Sequence, residues 1–144
     1  MLIREILTVK ADELITVSPD ALIPDAINQM ASHDIGSLIV MDAGHMVGIV
    51  TERDILRALG KKGCSLAEAR VSDIMATEPV IGSPEDSVDY VRDVMTRSRV
   101  SHLPVLDEHH VVGIISFHDV ARACLKEANF ENLLLKRYIK HWPE

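Results

Sequence analysis

Apolar residues fall along this chain in two alternating rhythms, short β-branched runs and helical stripes. Leu14-Ile15-Thr16-Val17 is a β-branched run closed by the turn cluster Ser18-Pro19-Asp20, which predicts a strand. Behind it, Pro24 suits a first helical position and Asp25 complements a helix dipole, while Ile23, Ala26, Ile27, Met30 and Ala31 recur at helical spacing. Ser37-Leu38-Ile39-Val40-Met41 and Met46-Val47-Gly48-Ile49-Val50 are strand-like runs around a hairpin-length turn, Asp42-Ala43-Gly44-His45. Thr51 opens a second helix with Ile55, Leu56 and Leu59 on its apolar face, and Gly60-Lys61-Lys62-Gly63 breaks it.

The same order then runs again. A shift of 65 positions (83 − 18 = 65) lays Ser18-Pro19 on Ser83-Pro84, Met30 on Met95, Leu38 and Val40 on Leu103 and Val105, and Asp42 on Asp107, without a gap. Pro79-Val80-Ile81 repeats the first strand, Val88, Val91, Val94 and Met95 the helical stripe, and Asp107-Glu108-His109-His110 the turn. His45 to Asp54 falls on His110 to Asp119 with glycine, β-branched run, hydroxyl and carboxylate in the same places. The chain is therefore read as mixed α/β (α+β), two pseudo-symmetric units of strand-helix-strand-strand-helix. Two copies are too few for a solenoid, so each is expected to cover the other's apolar face, leaving a cleft at the seam that comes twice. Unit boundaries fall at 7–62 and 71–126. Residues 65–75 are expected to hold one or two helical turns leading into the second unit, and residues 1–10 to play that part for the first. Val120 to about Tyr138 lacks Gly and Pro and predicts one long helix, whose tail, 127–144, extends past the repeat.

Composition narrows the function. At 144 residues and 47% apolar, the chain has material for one compact core, and a net charge of −7 disfavours the broad basic footprint that nucleic-acid polymers need. One small anion held by a few local groups is not disfavoured. No apolar run reaches the roughly 18 residues of a membrane span, and Met1-Leu2-Ile3-Arg4-Glu5 lacks a leader's apolar stretch, so a cytoplasmic setting without membrane contact is expected. Cys64 and Cys124 form no metal-type pair and are read as free thiols.

The doubled unit resembles the cystathionine-β-synthase (CBS) domain, and the whole chain resembles a stand-alone CBS pair, or Bateman module. The residues that carry the likeness are Gly48-Ile49-Val50-Thr51-Glu52-Arg53-Asp54 and Gly113-Ile114-Ile115-Ser116-Phe117-His118-Asp119, with Ile35 to Val40 and Val100 to Val105 upstream. The resemblance implies no catalysis and no catalytic cofactor. It implies a module that commonly dimerises and whose clefts bind an adenine nucleotide or adenosine derivative of the AMP, ATP, NADH or S-adenosylmethionine class as regulatory ligand, with AMP or ATP favoured. By the same likeness, Asp54 and Asp119 would hold ribose hydroxyls and Thr51 and Ser116 would lie near phosphate. Main-chain groups around Val17-Ser18, Ile35, Ser37-Leu38, Ile81-Gly82 and His102-Leu103-Pro104 would meet adenine.

The residue types suit those roles. A carboxylate accepts both hydrogens of a ribose diol, and the first turn of a helix offers unsatisfied N–H groups to a phosphate. Arg53 adds a planar donor fork, and Arg97 and Arg99 are candidates for further charge from the opposite unit. In the second copy Phe117 and His118 stand where stand-alone relatives of the family often carry a smaller residue and glycine, a bulky pair expected either to narrow the second cleft or to put a titratable charge in place of arginine's.

Thr51-x-x-Asp54 and Ser116-x-x-Asp119 also fit helix-capping boxes, and either alone reads first as a cap. The repetition and the family likeness turn the balance towards a ligand role, and the two roles are compatible. Two other functions remain open. One is a structural or partner-binding dimer with vestigial clefts, held by the repeats and by Leu133, Leu134 and Tyr138 of the last helix, with an unidentified client protein. The other is a metal-binding stress protein using the turn histidines His45, His109 and His110, although adjacent histidines on a turn point apart.

Overall fold

The structure, a computed structural model, describes residues 1–10, 13–63 and 65–140. Cys64 and the last residues of the expected extension, 141–144, lie outside the described residues. The order of elements is α1 (Ile3–Lys10), β1 (Thr16–Val17), α2 (Ile23–His33), β2 (Ser37–Asp42), β3 (His45–Thr51), α3 (Glu52–Lys61), α4 (Val71–Ile74), α5 (Val88–Ser98), β4 (His102–Asp107), β5 (His110–Ser116) and α6 (Phe117–Lys140). The mixed α+β architecture is as the alternating rhythms predict. Among the described residues no helix is long and apolar enough to cross a membrane.

The first sheet runs β1-β2-β3, with β1 parallel to β2 and β2 antiparallel to β3. The second is β4-β5 alone, since the strand expected at Pro79-Val80-Ile81 shrinks to a single parallel bridge, Gly82 with Val105. Proline supplies no N–H at position 79, and glycine at 82 gains least from a pleated surface, so only one rung forms. The two hairpins are otherwise duplicates. Each has a register shift at the same place, Val40/Met41 and Val105/Leu106, and each turns through two residues of positive φ. Those residues are Ala43 (49°) and Gly44 (81°) in the first and Glu108 (48°) and His109 (70°) in the second. Such tight turns match the strands' right-handed twist. Asp34 and Arg99, also 65 apart, are left-handed residues that end α2 and α5.

Two cores lie side by side, and the lead-in segments are exchanged between them. α1 precedes the first unit in the chain, yet Ile3 and Ile6 are buried with Val88, Val91, Met95, Leu103, Val105 and Ile115 in the core of the second. Its backbone is tied there too: Ile3 N–H donates to the Asp86 carbonyl and Val88 N–H to that of Met1, both at 2.9 Å. Conversely Leu66, Ala69 and Val71, from the stretch that leads into the second unit, are buried with Ile23, Leu38, Val40 and Val50 in the first core. Val71 N–H and Ile23 N–H make reciprocal 2.8 Å bonds with the carbonyls of Ala21 and Ala69. Each unit therefore completes its core with a piece drawn from the other side of the chain, and neither apolar face is closed by its own repeat.

The sequence places α6 correctly as one continuous helix of 24 residues. Val120 and Ala123 are buried at its base, whereas Leu125, Phe130, Leu133, Leu134 and Leu135 are exposed further along.

Candidate functional site

The exchange of lead-ins brings the two units together along a seam, and a cleft of about 340 Å³ opens there. One wall is the first unit's approach to β1 (Glu13, Leu14, Ile15) and its α2–β2 turn (Asp34, Ile35, Gly36, Ser37). The other wall is β5 and its end (Val112, Gly113, Ile114, Ser116), with His102 at the start of β4; Leu7 and Lys10 of α1 close one side. The floor is apolar, the rim carries main-chain groups and a few polar side chains, and these are the ingredients of a small-molecule site.

Four of the residues singled out in the sequence, Ile35, Ser37, His102 and Ser116, line this cleft. Val17, Leu38 and Leu103 do not line it, because their side chains are buried in the cores. Ser18 is used in a turn, its hydroxyl accepting from Asp20 N–H at 3.2 Å. Gly82 N–H donates to the Pro104 carbonyl, and the Gly82 carbonyl accepts from Leu106 N–H, both at 2.9 Å, so those main-chain groups serve the ladder; the Ile81 side chain is half exposed. Arg53 reaches across the seam and donates to the Arg99 carbonyl at 3.4 Å, whereas Arg97 turns back to the Asp93 carbonyl on its own helix. His118 contacts Arg122 at 2.7 Å on the exposed side of α6.

The two hydroxyl–carboxylate motifs are helix caps, as the bland reading expects. Thr51 Oγ1 accepts from Asp54 N–H at 3.2 Å while Asp54 Oδ2 accepts from Thr51 N–H at 2.9 Å, a reciprocal capping box. Ser116 and Asp119 repeat it at 3.1 and 2.9 Å. The copies part company in what else the carboxylate meets. Asp54 accepts from its own Thr51 hydroxyl at 3.0 Å, but Asp119 Oδ2 accepts from Lys10 Nζ at 2.9 Å, across 109 positions of chain. Asp119 faces a larger outer groove of about 640 Å³ between α1 and α6, and Lys10 lines both this groove and the seam cleft. Asp54 faces the counterpart groove of about 280 Å³ between α3 and α4.

Burial alone would raise the Asp119 carboxyl, but Lys10 and the Ser116 N–H and hydroxyl hold it below the usual carboxylate range. A carboxyl so depressed contributes stability above its unfolded pKa, about 3.9, and loses it as pH falls through the lower folded value. Asp119→Asn is therefore expected to be less stable than the parent by about 2 kcal/mol at pH 7, because a charge-assisted pair is lost from a side chain only 14% exposed. Urea unfolding from pH 7 to 3 should show that gap steady above about pH 5 and closing below about pH 4. A gap unchanged at pH 3 would sever the link to this ion pair. Burial pushes the His102 imidazole below the usual histidine range, against the pull of nearby Glu52. A neutral ring has one donor and one acceptor, and with Nδ1 in contact with the Ser101 hydroxyl at 3.2 Å the other nitrogen, Nε2, is left for the cleft.

The sequence did not single out Lys10, Glu13 or Asp34, whereas Gly36 lies inside the Ile35 to Leu38 stretch that it did mark. Glu13 has the weak signal of an identical copy at Glu78. A Cβ at Gly36 would lie 2.9 Å from Glu52 Oε1 and 3.2 Å from the His102 ring, so a side chain there would have to displace the Glu52 carboxylate and press on His102 across the seam. Among the described residues no group of three or more His, Cys, Asp or Glu is placed to hold a metal ion.

The CBS domain family profile matches residues 3–61 and 71–126. The chain is 35% identical over 126 residues to the CBS domain-containing protein CBSX3, mitochondrial, of Arabidopsis thaliana, covering 84% of this chain and spanning 61% of that protein's length. Among solved structures it is similar to the CBS-domain containing protein ATU1752 from Agrobacterium tumefaciens, with a TM-score of 0.82, 33% identity, and coverage of 85% of this chain and 98% of that one. It is also similar to the CBS domain pair of protein MJ0100 in complex with 5′-methylthioadenosine and S-adenosyl-L-methionine, with a TM-score of 0.77, 28% identity, and coverage of 88% and 98%.

Proposed function

This chain belongs to the CBS-domain family, with two copies of the domain in tandem, and on that premise we propose that it is a regulatory rather than catalytic module. It binds an adenine nucleotide or adenosine derivative in the seam cleft and reports occupancy through the relative placement of its two units. The observation that carries this reading is that one cleft of about 340 Å³ draws its walls from both repeats. A ligand there touches both units at once, so its differential affinity for two placements shifts the balance between them. Within the reading, main-chain groups at Ile35 and Ser37 meet the adenine edge, neutral His102 supports it, Ser116 and the first turn of α6 face the 5′ group, and Asp119, which stands on the outer-groove side but is bonded to Lys10 and Ser116 of the cleft lining, accepts the ribose hydroxyls. Thr51, Arg53, Asp54 and Arg99 are the matching set on the pseudo-symmetric side. That the structurally similar pair of protein MJ0100 holds two adenosine derivatives supports the ligand class. A cytoplasmic setting and a homodimer belong to the same reading.

Calorimetric titration of nucleotide-stripped protein with AMP, ATP, NADH and S-adenosylmethionine tests it. Saturable binding to at least one, lost in Asp119→Ala while the melting transition stays cooperative, is the expected result. Silence across all four removes the sensor reading. A second reading, a partner-binding dimer, draws on the exposed Phe130, Leu133, Leu134 and Leu135 of α6. It predicts instead that Leu134→Glu lowers the assembly mass in light scattering without changing any ligand isotherm.

A further inference from the structure

One backbone carbonyl position recurs in the two copies, at Ile49 and Ile114. In the first unit the Ile49 carbonyl accepts from the backbone N–H of Ala76 at 2.8 Å, and Ile49 N–H returns a bond to the Ala76 carbonyl at 3.0 Å. The linker is thereby fixed on that side of the seam, and its Met75 packs against Gly48. The equivalent carbonyl in the second unit, Ile114, accepts from the Lys10 ammonium at 3.0 Å, and the same Nζ holds Asp119 at 2.9 Å. A flexible, charged side chain thus partners this carbonyl of the second copy. It is also the one Lys or Arg among the residues lining the seam cleft, where Glu13 and Asp34 stand at the first-unit wall.

From this placement of Lys10 we propose that it determines phosphate specificity in the seam cleft: its ammonium leaves Asp119 and the Ile114 carbonyl for the 5′-phosphate of an adenine nucleotide, which frees Asp119 for the ribose. The proposal rests on the ligand reading above. In the resting structure Asp119 already serves Lys10 and the Ser116 N–H, so ribose hydroxyls compete with an ammonium for the same carboxylate. A nucleoside with a neutral 5′ group displaces the ammonium and gives it nothing in return. A nucleotide replaces one ion pair with another, and the four-carbon stem of lysine lets the charge move without moving α1. Lys10 is only 26% exposed on its side chain, so the exchange occurs in a partly desolvated place where a lone charge is costly.

Calorimetry with AMP and with adenosine on the full chain, on Lys10→Met and on Lys10→Arg decides the matter. The parent is expected to bind AMP at least about 10-fold more tightly than adenosine. Lys10→Met, which keeps the apolar stem, should bind the two within about twofold of each other, with adenosine binding no weaker than in the parent, and Lys10→Arg should restore the preference. A parent that binds both equally, or a preference that survives in Lys10→Met, overturns the proposal while leaving the adenosine site intact. A parent that binds neither overturns the site and the proposal together. Melting curves confirm that each variant is folded, and the AMP-to-adenosine ratio is a quantity that simple loss of stability does not move.

Discussion

Gly48→Val is expected to lower stability by about 3 kcal/mol, far more than its place in a short strand suggests. A Cβ built on Gly48 would lie 2.5 Å from the Ala76 carbonyl oxygen and 3.1 Å from the Met75 sulfur. The oxygen belongs to main chain that is doubly bonded to Ile49, so it cannot swing aside as a side chain would. The linker has to lift off β3, and both rungs with Ile49 are lost while the packing under Met75 opens. Gly60, inside α3, is the internal control, since a Cβ there meets nothing within 4 Å. Gly60→Ala should stabilise by about 1 kcal/mol through helix propensity alone. Urea midpoints of the two variants should move in opposite directions. If Gly48→Val unfolds at the parent's midpoint, the linker does not press on β3 as described.

The second large effect follows from the exchanged lead-ins. Ile3 and Val71 are each 0% exposed, and truncating either to alanine should cost about 3 kcal/mol by the combined loss of burial and creation of a cavity. The location of the damage is the informative part. Ile3→Ala should speed hydrogen exchange most in β4 and β5, which belong to the later repeat, and Val71→Ala most in β2 and β3, which belong to the earlier one. Damage confined to the repeat that each lead-in adjoins in sequence would refute the exchange.

Much of this architecture was legible before the coordinates, and the reasons differ by element. The hairpins announce themselves because alternation and turn chemistry are local, and the 65-residue shift carries the same reading from one copy to the other. The capping boxes are also local, so Thr51–Asp54 and Ser116–Asp119 bond as their spacing implies. What stays hidden is whatever depends on which surface a segment finds. Ile3 and Ile6 form a stripe that would serve either core, and nothing in their spacing says they cross to the later one. Lys10 meets Asp119 across 109 positions for the same reason, and a lone lysine at a helix end carries no pattern to flag it. Val17, Leu38 and Leu103 show the opposite limit: the sequence marks them, but their side chains are spent in the cores and none of the three lines the seam cleft.

The helix that starts beside the seam ends far from it. α6 begins at Phe117, one residue past the Ser116 cap, and runs unbroken for 24 residues, a rod of about 36 Å. Its first turn is held by the cap and by Val120 in the core, while its last turns carry exposed leucines with no sheet beneath them. Mechanically it is a pointer pivoted at one end: a tilt of about 5° at the base sweeps the tip through about 3 Å, by the length of the rod alone. A rearrangement at the cap too small to disturb either core thus becomes, at the far end, a displacement comparable to the width of a side chain.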